Sequence, residues 1–262
     1  MAINISVHVD GYYGLRYGVG DMLDLFDKYK IKACFFINMG GEAGLFKILK
    51  YRTKGLKKSD KSIGQRYTKM QIIRMLLMPK MLGNANCKIL NEIKSRGHEV
   101  NPHCWSHLLW SKNFKKIDIP NEFSKMCNSF ENCVYETPRG FAPPTWKWDA
   151  RVLNEMKKHK MEYLSVDKGG KPYFKNGILI IPLTFNRTPE ELLNKGLNKK
   201  QVIEVYKKHI KNRGYVNLYF HADYEGIFGL DILESILKLL KGKKTNTFEE
   251  ILLKNKLNSN KK

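Results

Sequence analysis

Met1-Ala2-Ile3-Asn4-Ile5-Ser6-Val7-His8-Val9-Asp10 is the stretch that decides the fold. Ile3, Ile5, Val7 and Val9 alternate with Asn4, Ser6, His8 and Asp10, and a period of two marks a β-strand. At about 3.3 Å per residue, His8 and Asp10 share one strand face roughly 6–7 Å apart. They stand at the C-terminal end of the strand, where α/β folds build their sites. No basic region precedes an apolar one here, so nothing in the segment reads as an export signal.

Outward from this strand, Gly11 to Gly20 form a glycine-rich turn leading into a helix near Val19–Tyr29. A dinucleotide-binding turn fails on spacing, because its third glycine would fall on Leu23, and a phosphate-loop lysine is missing. No nucleotide cofactor is expected. Lys32 to Ile37 read as a buried strand. After a helix over Asn84–Arg96, a further strand delivers Gly97-His98-Glu99-Val100-Asn101-Pro102-His103-Cys104-Trp105-Ser106-His107. His103 and His107 are four apart, which on one helical turn brings their ring nitrogens close enough to share a divalent metal. Helices are expected at Pro120–Glu131, from an Asp149 cap to His159, and at Lys199–Arg213, Leu230–Leu240 and Phe248–Lys254. Strands are expected at Tyr163–Val166, Ile178–Ile181 and Tyr215–Phe220, with a frayed end from Asn255.

Strand–helix alternation throughout argues for an α/β fold, a single domain over residues 1–262 built as a barrel-like parallel β/α array. His8, Asp10, His103, His107, Asp167 and His221 all follow or end strands, so they share one rim. Histidines and a carboxylate on one rim read as a metal site.

The chain has 262 residues, 42% hydrophobic, with 47 Lys+Arg against 25 Asp+Glu for a net charge of +22. Such charge admits nucleic acid, an anionic membrane surface or a phosphorylated substrate as partner. Much of it lies in an insertion over residues 42–82, where eleven bases from Lys47 to Lys80 face only Glu42 and Asp60. Leu45, Phe46, Ile48, Leu49, Ile72, Ile73, Met75 to Met78, Met81 and Leu82 are interleaved with them. Apolar faces flanked by bases suit a membrane interface, although a solvated insertion packed on the domain has the same composition. Aliphatics outnumber the aromatics that would stack on bases, so nucleic acid is not expected. The longest apolar run, Gly177 to Phe185, is far below the ~18 residues of a membrane span. Cys34, Cys87, Cys104, Cys127 and Cys133 show no C-x-x-C spacing and are expected as reduced thiols of a cytoplasmic protein.

These residues resemble the polysaccharide deacetylase superfamily (carbohydrate esterase 4, NodB-like). The closer likeness is to the branch acting on undecaprenyl-phosphate-linked aminosugars, which includes the 4-deoxy-4-formamido-arabinose-phosphoundecaprenol deformylases. It rests on Val9-Asp10 with Arg16 and Gly18-Val19, on His98-Glu99-Val100 with His103, Trp105 and His107, and on Trp146, Asp149 and Val152. Ser165 with Asp167, Ile181-Pro182, and His221-Ala222 with Glu225-Gly226 continue it nearly to the end of the chain. The resemblance implies a distorted barrel of about seven parallel strands. It implies a divalent metal (zinc first, with cobalt, nickel or manganese as alternatives) on Asp10, His103 and His107, and His221 as proton donor to the leaving amine. The reaction implied is hydrolysis of an N-acyl group on a lipid-linked aminosugar, at the cytoplasmic face of the inner membrane, for lipid A modification. Trp146, Trp148, Asp167, Asp223 and Glu225 are the candidate substrate contacts.

Two positions depart from the pattern. His8 occupies the place of the family's proton-abstracting aspartate, and is open to roles as base, third nitrogen ligand or structural residue. Phe141 replaces the arginine of the superfamily's Arg-x-Pro motif, which the aminosugar branch lacks as well, so His8 is the departure from the arabinose deformylases. On that departure an N-acetylhexosamine, galactosamine-like, is expected ahead of formyl-arabinose. An inactive sugar- or lipid-binding homologue is the reading from another class.

Overall fold

The structure, a computed structural model, describes residues 2–50, 67–211 and 213–259. Its first strand, β1 (Ala2–Val9), is buried along nearly its whole length. Ile3, Ile5, Val7 and Val9 face the helices, whereas Asn4, Ser6 and His8 point into a buried interior where each is at most 3% exposed. Polar groups there need partners. Asn4 Nδ2 donates to Asn246 O, and Ser6 Oγ to Leu218 O.

Two arcs of strands surround this interior. The first runs β3 (Glu99–Cys104), β2 (Cys34–Asn38), β1, β8 (Tyr215–His221), all parallel, with the short β9 (Thr245–Asn246) pairing the start of β1. In the second, β4 (Gly140–Phe141), β5 (Tyr163–Lys168) and β7 (Ile178–Leu183) are parallel and β6 (Tyr173–Lys175) is an antiparallel edge. Hydrogen bonds bridge both seams. Asn101 Oδ1 on β3 accepts from Arg139 N and from Gly140 N, the first residue of β4. On the other side Thr184 N donates to Asn217 O, and Asn217 Nδ2 to Pro182 O. Seven parallel strands (β1, β2, β3, β4, β5, β7, β8) thus line the described interior, as expected of a distorted β/α barrel.

The interior is a packed core. Phe36, Ala142, Tyr163, Leu179 and Ile181 fill it, and the helix Phe248–Ser259 closes its lower end with Phe248, Ile251 and Leu252. Glu99 ties that helix down by accepting from Phe248 N (2.7 Å) and Glu249 N (3.1 Å). The helix reaches Ser259, further than the fraying expected from Asn255.

Three expectations are corrected. Residues Gly11–Gly20 are not an open turn, because Gly14–Gly18 are a π-helical segment running into the helix Val19–Tyr29. His103 and His107 do not share a helical turn, since His103 lies on β3 and His107 opens the helix His107–Asn113. Cys87 and Cys133 are not both free, being joined by a disulfide that links the helices Cys87–Ser95 and Ile119–Val134, while Cys34, Cys104 and Cys127 are buried thiols. A separation of 46 residues carried no signal for that pairing, which follows from how the two helices pack.

The insertion is described at both ends as the helices Leu45–Lys50 and Lys69–Leu77, neither of which buries a residue. The part of the interfacial expectation that falls on 51–66 lies outside the described residues.

Candidate active site

At the C-terminal rim of β1, Asp10 is set by its own backbone. Asp223, after β8, accepts from Asp10 N (3.0 Å), Gly11 N (3.2 Å) and Gly14 N (3.3 Å). The fit needs glycine, because a Cβ on Gly14 would stand 2.6 Å from Asp223 Cγ and one on Gly11 2.6 Å from Oδ1. Asn38 Nδ2, at the end of β2, donates to Asp10 O (3.2 Å).

His103 reaches the same point by a bulge. Ile37 pairs with Pro102 and Asn38 with Cys104, so His103 is the extra residue between them. Bulges of this kind re-aim side chains beside sites. The His103 Nδ1–H donates to Ala142 O at 2.5 Å, which leaves Nε2 as the free electron pair. His103 Nε2 then lies 3.3 Å from Asp10 Oδ1, and His107 Nε2 lies 3.6 Å from Oδ2. The donor atoms of Asp10, His103 and His107 all fall within 4.8 Å of one another. Asp10 Oδ1 is buried with no hydrogen-bond partner in the described structure. An orphaned carboxylate oxygen beside two imidazole nitrogens fits a divalent cation, with coordination positions left for ligands.

His221 ends β8 with Nε2 3.8 Å from Asp10 Oδ2. Its backbone N–H is held at 2.7 Å by Glu225, which also accepts from Glu190 N. His8 lies behind these groups, its ring 4.7 Å from that of His103, 5.7 Å from His221 and 4.9 Å from Trp146. His8 Nε2 is buried without a partner. Tyr219, unforeseen from the sequence, closes the group with ring contacts to His8, Trp146 and His221. Its place on β8, two residues before His221, was the available signal.

Burial and charge set the protonation states. Burial, reinforced by His103 and His221, holds His8 well below the usual imidazole range. Burial also lowers His103 to about 4, so both rings are neutral near pH 7. Burial opposes ionisation of Asp10, yet His107, His103 and His221 outweigh it and keep its carboxyl below the usual range. Burial raises Asp223 and brings Glu225 up to about 7.

The structure therefore brings His8, Asp10, His103, His107, His221 and Trp146 together. It does not do so for the other expected substrate contacts. Asp223 and Glu225 are buried and engaged by backbone N–H groups. Trp148 packs on the core beneath Lys175 Nζ. Asp167 is exposed and accepts from Asn186 Nδ2 and Lys168 N.

A family model described as polysaccharide deacetylase matches residues 10–164. A probable 4-deoxy-4-formamido-L-arabinose-phosphoundecaprenol deformylase of Wigglesworthia glossinidia brevipalpis is 28% identical, over 82% of this chain and 79% of that protein. The protein of the same name from Shewanella sediminis is 24% identical over 90% and 80%. Among solved structures, a Mycobacterium smegmatis protein assigned as a polysaccharide deacetylase superposes with a TM-score of 0.68 at 13% identity, covering 98% of this chain and 91% of that one.

Proposed function

The chain belongs to the polysaccharide deacetylase family, and from that premise we propose that it removes the N-acyl group of an aminosugar carried on undecaprenyl phosphate. The observation that carries this reading is the convergence of Asp10, His103 and His107 donor atoms within 4.8 Å. Those three residues would hold a divalent cation, zinc first among them. When bound, it supplies Lewis acidity toward an acyl carbonyl and toward water.

The chain's own groups supply the rest. His8, neutral and with an unpartnered Nε2, takes a proton from the attacking water. His221 Nε2 gives a proton to the departing amine as the carbon–nitrogen bond breaks. Tyr219 packs against both rings, and Trp146 against His8 and Tyr219. Glu225 and Asp223 position His221 and Asp10 through their backbones.

The lipid carrier and the acyl group are read from the relatives, whose names specify a formamido-arabinose on phosphoundecaprenol. That favours formyl-arabinose, whereas the departure at His8 is all that favours an N-acetylhexosamine. In either case the product is a free amine that lowers the negative charge of lipid A. A peripheral position on the cytoplasmic face of the inner membrane goes with this reading. No helix among the described residues is long and apolar enough to cross a membrane. The Cys87–Cys133 bond pulls the other way, since a reducing cytoplasm keeps thiols apart.

The test is mass spectrometry of both lipid-linked N-acyl sugars incubated with metal-loaded protein. Amine release is expected, falling about 10³-fold or more in Asp10→Ala. Turnover surviving Asp10→Ala would remove the metal mechanism, and full activity in His8→Ala would remove the base assignment. Metal binding with no amine released from any such sugar would leave a binding protein.

A further inference from the structure

Beside the Asp10 loop lies a cavity of about 300 Å³ that none of the groups above occupies, lined by Tyr13, Tyr17, Tyr67, Gln71, Ile227 and Phe228. Five of these six are aromatic or aliphatic, and Gln71 is the one amide. Apart from the tyrosine hydroxyls and that amide, the surface this wall presents is ring and aliphatic carbon, with little polar area to match the hydroxyls of a sugar. It suits a hydrocarbon. At the small end of ligand cavities, it holds a few carbon units and not a whole lipid.

The cavity is built by the local backbone. The π-helical Gly14–Gly18 segment brings Tyr13 and Tyr17 into a stack, ring centroids 6.1 Å apart at 20°. Segments of this kind are frequent at functional sites. Tyr67 lies 5.3 Å from Tyr13, and Phe228 lies 6.2 Å from Tyr67. Tyr13 is pinned by Arg74, whose guanidinium sits 4.7 Å over its ring and donates to its hydroxyl. Buried Glu42 fixes Arg74 in turn through two hydrogen bonds. Tyr17 and Phe228 are nevertheless 57% and 46% exposed, a costly arrangement for large rings unless something covers them.

Position and charge indicate the occupant. One wall belongs to the loop that begins at Asp10, and the other to the insertion helix Lys69–Leu77, whose Met70, Ile73 and Leu77 are exposed. Between Leu15 and Tyr17, Arg16 is exposed and forms no ion pair among the described residues. A cation one residue before Tyr17 in the chain, on the segment that leads from Asp10 to the cavity, matches a molecule with an anionic group joining hydrocarbon to sugar. We propose that the cavity seats the first isoprene units of a polyisoprenyl phosphate, with Arg16 facing the phosphate. This rests on the lipid-linked substrate proposed above.

The test is calorimetric titration of the full chain with geranylgeranyl phosphate, geranylgeraniol and inorganic phosphate. Saturable binding of geranylgeranyl phosphate is expected, weakened about tenfold in each of Tyr17→Ala and Phe228→Ala, the size of one lost aromatic contact. Both rings are about half exposed and outside the core, so folding should persist, and Phe228→Leu should recover most of the affinity. Arg16→Gln should weaken geranylgeranyl phosphate several-fold and leave geranylgeraniol unchanged. Equal affinity in wild type, Tyr17→Ala and Phe228→Ala overturns the proposal, as does binding of inorganic phosphate as tight as that of the prenyl phosphate. A parallel assay with a lipid-free N-acylaminosugar 1-phosphate separates the two readings. Amine release without prenyl-phosphate binding would sink the cavity alone, and ring-dependent prenyl binding without amine release from any N-acyl sugar would sink the hydrolase alone.

Discussion

Asp10 is where most of the proposed chemistry is decided, and its direction is set by a carboxylate 213 residues away, since Asp223 grips the backbone of Asp10, Gly11 and Gly14. Gly14→Ala puts a Cβ 2.6 Å from Asp223 Cγ, so the turn must shift and carry Asp10 with it. The expected result is a 10- to 100-fold loss of metal affinity, the usual scale for an outer-shell disturbance, measured by competition with a chromogenic chelator. Unchanged affinity would show that the turn does not position Asp10. From the sequence, the identities of His8, Asp10, His103, His107 and His221 were legible because strand ends converge on one rim. The job of Asp223 was not, because a side chain that serves backbone N–H groups across the barrel leaves no local pattern. Trp148 was misplaced for a related reason, as two nearby tryptophans look alike until the left-handed φ of 58° at Trp146 turns that one toward His8.

Among the elements, spacing identified the histidine pair but assigned it to the wrong local structure. Four residues span one helical turn, and they equally span the step from a bulged strand end into a new helix, where Ser106 N donates to Glu122. Strand–helix alternation was legible because its periodicity is local, whereas the two seams and the Cys87–Cys133 bond depend on tertiary packing. Titration of the denatured chain with a thiol reagent should find three reactive cysteines before reduction and five after, and five at the outset would remove the disulfide. At the lower end of the barrel, burial raises Glu99 to about 8 from its ordinary 4.5. Above about 4.5 the unfolded chain loses this proton while the folded chain keeps it. The stability Glu99 contributes is therefore full at low pH and is lost as pH rises through about 8. Glu99→Gln removes that dependence, so the melting temperature of wild type should fall relative to the variant between pH 5 and 8. A constant difference would contradict the buried, protonated state.

For the whole molecule, the charge of +22 and the insertion are one question. Phe46 is 89% exposed and Met70 74%, on helices that bury nothing. Exposed rings and thioethers among bases suit insertion into an anionic interface, at about 1 kcal/mol per base near the surface. Sedimentation with vesicles containing anionic lipid should pull the protein down, with little binding to neutral vesicles and release at high salt. Phe46→Asp with Met70→Asp should reduce that partitioning at least tenfold while leaving the melting temperature in place. Equal partitioning of the double variant would return the insertion to the solvated reading.

Everything in the catalytic account depends on a single cation shared by β1 and the His103–His107 pair. The direct measurement is metal content per chain, by inductively coupled plasma mass spectrometry after dialysis, for wild type, Asp10→Ala, His103→Ala and His107→Ala. The account predicts one divalent ion in wild type and its loss in each variant. A full equivalent of metal retained in Asp10→Ala would contradict it.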